Sequence, residues 1–139
     1  MASDVLSRAP SETRALGRRA GERLRAGDVL LLVGELGSGK TTFVKGVAEA
    51  CGVTAEVRSP TFALVHRYRG RVDLFHVDLY REREAPALDD LGWDAAKATS
   101  MAMVEWPRSL GPALWPDART VTFEHVDATT RRVSLPDGL

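Results

Sequence analysis

The chain has 139 residues and a mass of 15.1 kDa, enough for one domain and hardly a second, and its 44% apolar content excludes a disordered chain. Nineteen basic and 19 acidic side chains cancel, so no whole-molecule field draws in nucleic acid or a membrane, and a nucleic-acid role would need a local patch or a partner. A single cysteine, Cys51, excludes an internal disulfide and a metal site built on several thiolates.

The opening residues Met1 to Pro10 lack the apolar stretch of a signal peptide. The longest purely apolar run, Val29 to Val33, is far too short to cross a bilayer, so a soluble, cytoplasmic protein is expected. There is no Asn and no Gln, which closes any mechanism needing a side-chain amide, and Arg outnumbers Lys 16 to 3.

From Ser11 to Arg25 the positions Ala15, Leu16, Ala20 and Leu24 recur at helical spacing, with Ser11 as cap and Gly27 as stop. This reads as a surface helix in spite of Gly17 and Gly21. Val29 to Val33, with glycine on either side, reads as a strand buried on both faces. Lys40 to Cys51 reads as a second helix, with Phe43, Val44, Val47 and Ala48 on one side and Gly52 at its end. Thr61 to Tyr68 and Val72 to Tyr80 are strand-like runs joined by Arg69-Gly70-Arg71, which predicts an antiparallel hairpin. A short acidic helix is expected around Ala85 to Leu91, then a short apolar strand, Met101 to Val104, ending at Glu105. Thr120 to Val126 and Arg131 to Leu135 give two more strands around a polar turn. No repeat or linker divides the chain, so residues 1–139 are read as one phosphate-loop α/β domain with a mixed central sheet flanked by helices.

Gly34-Glu35-Leu36-Gly37-Ser38-Gly39-Lys40-Thr41 matches G-x-x-x-x-G-K-[ST] in full, between the predicted buried strand and the predicted helix. Glycines let backbone N–H groups turn inward around phosphate oxygens, and the following helix adds the positive end of its dipole. Lys40 is placed to reach the β- and γ-phosphates, and Thr41 to set its hydroxyl on Mg²⁺. Such a loop needs a second acid at the end of a neighbouring strand. Glu105, after the more uniformly apolar run, is assigned to the metal, and Asp78 to the attacking water or the outer metal shell; the two roles are interchangeable on sequence alone.

The class of nucleotide protein follows from absences. Without Asn or Gln there is no Asn-Lys-x-Asp guanine signature and no Gln to orient water, which argues against a small GTPase. A stand-alone small-molecule kinase is the alternative, though it needs a lid with phosphate-clamping arginines, for which Arg81 and Arg83 are the candidates. A non-hydrolysing ATP-binding scaffold is a third reading. His66, His76 and His125 are isolated and suggest no metal site. His76, two residues before Asp78 on the same strand face, reads either as a core histidine or as a group that orients that carboxylate.

Gly34 to Thr42, then Ser59-Pro-Thr-Phe62, His76-Val-Asp-Leu-Tyr-Arg81 and Val104-Glu-Trp-Pro107, in that order, resemble the TsaE family, small bacterial ATPases that support threonylcarbamoyl modification of tRNA adenosine. The resemblance runs from Leu16-Gly17 to the final strands. It implies ATP and Mg²⁺ as ligands, the pathway's transferase subunit and its inactive paralogue as partners, tRNA met only through that complex, and weak hydrolysis until they assemble. Residue by residue, it implies Thr41 and Glu105 at Mg²⁺, Asp78 near the γ-phosphate, and Thr61 in a switch-like segment, although Ser59-Pro60-Thr61 also reads as a rigid strand entry. It further implies Trp106 close to the nucleotide and a late arginine beside it, either Arg131 or Arg132.

Overall fold

Leu30, Leu31 and Leu32 are each no more than 1% exposed, so their strand is covered on both faces, as only the middle of a layered sheet allows. That strand is β2 (Val29–Gly34), the centre of a sheet of seven strands in a computed structural model describing residues 2–58, 65–79, 91–106 and 118–139. Around it, in chain order, lie β1 (Ser3–Ser7), α1 (Pro10–Arg23), α2 (Lys40–Ala50), β3 (Val65–Tyr68), β4 (Asp73–Asp78), the single turn α3 (Trp93–Ala96), β5 (Ser100–Trp106), β6 (Arg119–His125) and β7 (Arg131–Leu135).

The strand order is β1-β7-β6-β2-β5-β4-β3. The four inner strands β6, β2, β5 and β4 run parallel, and the outer ones pair antiparallel. This is the mixed sheet expected from the sequence. Parallel strands open their carboxyl ends on one edge, where ligands of open α/β sheets bind. Gly34, Asp78 and Glu105 stand at that edge, at the ends of β2 and β4 and near the end of β5.

Alternation along the strands sends side chains to two cores. Leu30, Leu32, Leu74, Met101, Met103 and Phe123 pack with Phe43, Val44 and Val47 of α2. On the other face Leu31, Phe75, Val77, Val104 and Trp106 pack with Trp93 of α3. The Phe75 and Trp93 rings lie 5.4 Å apart.

The first helix departs from its expected place. Gly17 and Gly21 are buried, and a Cβ on Gly17 would fall on the Phe43 carbonyl. Gly46 of α2 sits equally tight against the Arg14 carbonyl, so the two helices meet backbone to backbone. The glycines are therefore the packing face of α1, not exceptions on a surface helix. Gly46→Ala tests this. Helix propensity alone would favour Ala by about 1 kcal/mol, whereas forcing a methyl into this contact costs about 1–3 kcal/mol. A lower melting temperature is the expected result, and a raised one would rule out the close approach.

Ser11 does not cap α1. Ala9 occupies the cap position in extended conformation, Pro10 supplies the preset first turn, and the Glu12 carboxylate accepts the Arg8 N–H at 2.6 Å. The helix ends at Arg23, before Gly27, whose N–H is given to the Ser100 carbonyl. Strand β1 was not expected at all. The hairpin of β3 and β4 is present as predicted from Val65 onward; Thr61 to Leu64 and most of the expected acidic helix at Ala85 to Leu91 lie outside the described residues.

Candidate functional site

The loop from Gly34 to Gly39 leaves β2 and enters α2 with Gly37 at φ +75° and Gly39 at φ +109°, left-handed values that a side chain would strain. Gly34 is needed for space, because a Cβ there would press on the Phe123 carbonyl and the Ser38 hydroxyl. Lys40, the first residue of α2, turns back over the loop and donates from Nζ to the Gly34 carbonyl at 2.7 Å. Burial pushes its ammonium below the ordinary range, while the carboxylates of Glu105, Asp78 and Glu35 pull the other way.

Thr41, one residue on, donates its hydroxyl to Glu105 Oε1 at 3.0 Å. Asp78 and Glu105 are level with each other on the parallel pair β4 and β5, so both reach the same cleft. That cleft, about 190 Å³, is lined by Leu36, Gly37, Gly39, Lys40, Thr41, Thr42, Asp78 and Glu105. A second hollow of about 280 Å³ shares Gly37, Gly39 and Thr42 with it and extends between the start of α1 and the β6–β7 turn. Its floor includes Ser7 and Thr13, whose buried hydroxyls lie 2.6 Å apart, and its rim Arg8, Thr129 and Arg131.

These groups fit a phosphate chain with a hard divalent cation. The Ser38 hydroxyl is buried beside the loop without a hydrogen-bond partner among the described residues. Lys40 donates to the Gly34 carbonyl, and a phosphate oxygen beside the loop would attract its ammonium more strongly than a neutral carbonyl does. Thr41, Glu105 and Asp78 present oxygen donors alone, the set that Mg²⁺ takes.

Comparison with known proteins gives the family. Residues 7–133 match the family model described as threonylcarbamoyl adenosine biosynthesis protein TsaE. The chain belongs to the TsaE family. The Bacillus subtilis protein named tRNA threonylcarbamoyladenosine biosynthesis protein TsaE is 42% identical over 128 residues, covering 91% of this chain and 80% of the relative. The Treponema pallidum protein of the same name is 38% identical over 131 residues, covering 94% and 97%. The crystal structure of Bacillus subtilis YdiB superposes with a TM-score of 0.76 at 28% identity, over 97% of this chain and 84% of that one.

Within this TsaE domain most of the expected residues converge. The loop from Gly34 to Thr42, Asp78 and Glu105 meet in one place. Of the two late arginines, Arg131 lies at the loop, with Nη2 3.4 Å from the Gly37 carbonyl, while Arg132 pairs with Glu124 at 3.6 Å on the other side of β7. Trp106 follows Glu105 on β5 and so points to the opposite face of the sheet, where it is 2% exposed and packs with Phe75 and Val104. Thr61, Arg81 and Arg83 lie outside the described residues. His76 contacts a carboxylate, but that of Glu105, not Asp78. The sequence reading did not single out Ser7, Thr13 or His125, although His125 Nε2 lies 3.4 Å from the Leu36 carbonyl. Among the described residues no helix is long and apolar enough to cross a membrane.

Proposed function

We propose that this TsaE-family chain binds ATP with Mg²⁺ and hydrolyses it as an accessory protein of threonylcarbamoyl modification of tRNA adenosine. It turns over or resets a transferase complex and does not itself transfer the threonylcarbamoyl group. The observation that carries the reading is the Thr41–Glu105 contact at the mouth of a complete phosphate loop. Backbone N–H groups of the loop and Lys40 bind the phosphates, and the hollow between Ser7 and Arg131 takes the nucleoside. Thr41 and Glu105 hold the cation, and Asp78 orients the attacking water. When bound, Mg²⁺ offsets the charge that develops on the phosphoryl oxygens.

The late arginine gives a direct check. Arg131→Ala should weaken ADP binding about tenfold, the value of one partly exposed charged hydrogen bond, while Arg132→Ala should leave it unchanged in calorimetry. The reverse ranking would move the nucleoside out of this hollow.

With no Gln in the chain to orient water, turnover by the isolated chain is weak. The transferase subunit and its inactive paralogue raise it, either by adding a cation, worth about 10³- to 10⁵-fold when a partner supplies an arginine to other phosphate-loop proteins, or by ordering the segment around Ser59 to Thr61 over the γ-phosphate. A neutral chain has no field of its own to recruit tRNA, so tRNA stimulates only through those partners. Phosphate release should be measured for the chain alone, with tRNA, with the transferase pair, and with both. Fast turnover by the chain alone would overturn this reading in favour of an independent enzyme, and transfer to a small acceptor would favour a stand-alone kinase.

A further inference from the structure

His76 sits within β4, fully buried, and the proposed hydrolysis does not use it. Its Nε2 stands 2.6 Å from Glu105 Oε2, while Glu105 Oε1 accepts the Thr41 hydroxyl at 3.0 Å. The carboxylate is thus held from behind by the core and from in front by the loop. In the parallel pair His76 is level with Met103, two residues before Glu105, so the ring reaches forward along the sheet to make this contact. Its Nδ1 is buried with no hydrogen-bond partner among the described residues. A leucine would fill the same space without leaving a polar atom unpaired, and an unpaired buried nitrogen is costly. The contact through Nε2 is what sets a histidine apart from an apolar filler at this position.

We infer that His76 is a positioning residue for Glu105. By donating from Nε2 to Oε2 it fixes the rotation of a flexible carboxylate so that Oε1 faces the cation position beside Thr41. The inference rests on the reading of Glu105 as the carboxylate that holds the cation.

The test is Mn²⁺ affinity in the ADP complex of the full chain, read from the electron paramagnetic resonance of free Mn²⁺. A Gln amide nitrogen lies as many bonds from Cβ as Nε2 does, whereas an Asn nitrogen stops at the position of Nδ1. His76→Asn and His76→Leu should weaken Mn²⁺ binding by about 10- to 100-fold, and His76→Gln should stay within about threefold of wild type. ADP affinity without metal should be unchanged in all three. Wild-type Mn²⁺ affinity in His76→Asn overturns the inference. So does an equal loss in His76→Gln and His76→Asn, which is what a merely space-filling histidine predicts. This pair of polar variants decides the matter even if His76→Leu does not fold. Glu105→Gln separates the two possible failures: if it leaves Mn²⁺ affinity intact, the cation reading of Glu105 falls and this inference with it. If Glu105→Gln weakens Mn²⁺ binding and His76→Asn does not, the inference alone falls.

Discussion

Lys40→Ala should lower ATP and ADP affinity by about two to three and a half orders of magnitude, the equivalent of about 3–5 kcal/mol for two charge-assisted hydrogen bonds lost in a sheltered loop. The same change should leave the unliganded fold as stable as before, or more so. Lys40 is 5% exposed, and burial holds its ammonium below the ordinary 10.5. The unfolded chain therefore holds that proton more tightly than the folded one, and the resulting penalty on stability is present at neutral pH and relieved as pH rises toward 10.5. Removing the side chain removes the penalty, at the loss of its bond to the Gly34 carbonyl and of its attraction to Glu105, Asp78 and Glu35, which burial outweighs. Calorimetry and thermal unfolding of the same sample measure the two effects together. The lowered value also gives a pH signature: wild-type affinity falls as pH rises through the Lys40 titration, and that alkaline fall is missing in the variant. Retained affinity in Lys40→Ala would refute the phosphate-loop reading.

How much of this was legible in the sequence depends on the distance over which each feature is set. The phosphate loop was fully legible, because two left-handed glycines, a lysine and a threonine must lie within eight consecutive residues for the loop to form. The buried β2 was legible for the same local reason. What escaped was fixed between distant elements. Gly17 and Gly21 look like blemishes in α1 until α2 is laid against them, and the partner groups, Phe43 and Val47, lie 26 residues further along in each case. β1 is a short edge strand with an exposed Leu6, and its pairing partner is at the far end of the chain, Ser3 with Leu135. The contact of His76 with Glu105 follows from the register of two parallel strands, which no local pattern reveals. Trp106 is different. A strand alternates its faces, so a tryptophan directly after a cleft-facing glutamate had to point away, and the same rule separates Arg131 from Arg132.

Glu105→Gln and Asp78→Asn should both leave ADP affinity near normal and reduce turnover in the assembled complex by about 10² or more, since metal and water activation are worth several kcal/mol in the transition state and little in ground-state binding. The two differ in what else they disturb. Glu105 is held by Thr41 and by the buried His76, and Asp78 stands beside it at the end of β4, where its charge acts on the Lys40 ammonium. Glu105→Ala should thus carry an added stability loss of about 1–3 kcal/mol, because it leaves His76 Nε2 buried without its partner; Glu105→Gln keeps an oxygen in reach and should lose less. A metal titration then ranks the roles: raising Mg²⁺ should partly restore turnover in Glu105→Gln, whose defect is cation binding, and should not in Asp78→Asn, whose defect is placement of water. Rescue of Asp78→Asn by Mg²⁺ with no rescue of Glu105→Gln would exchange the two assignments. Wild-type turnover in either variant would remove that residue from the chemistry.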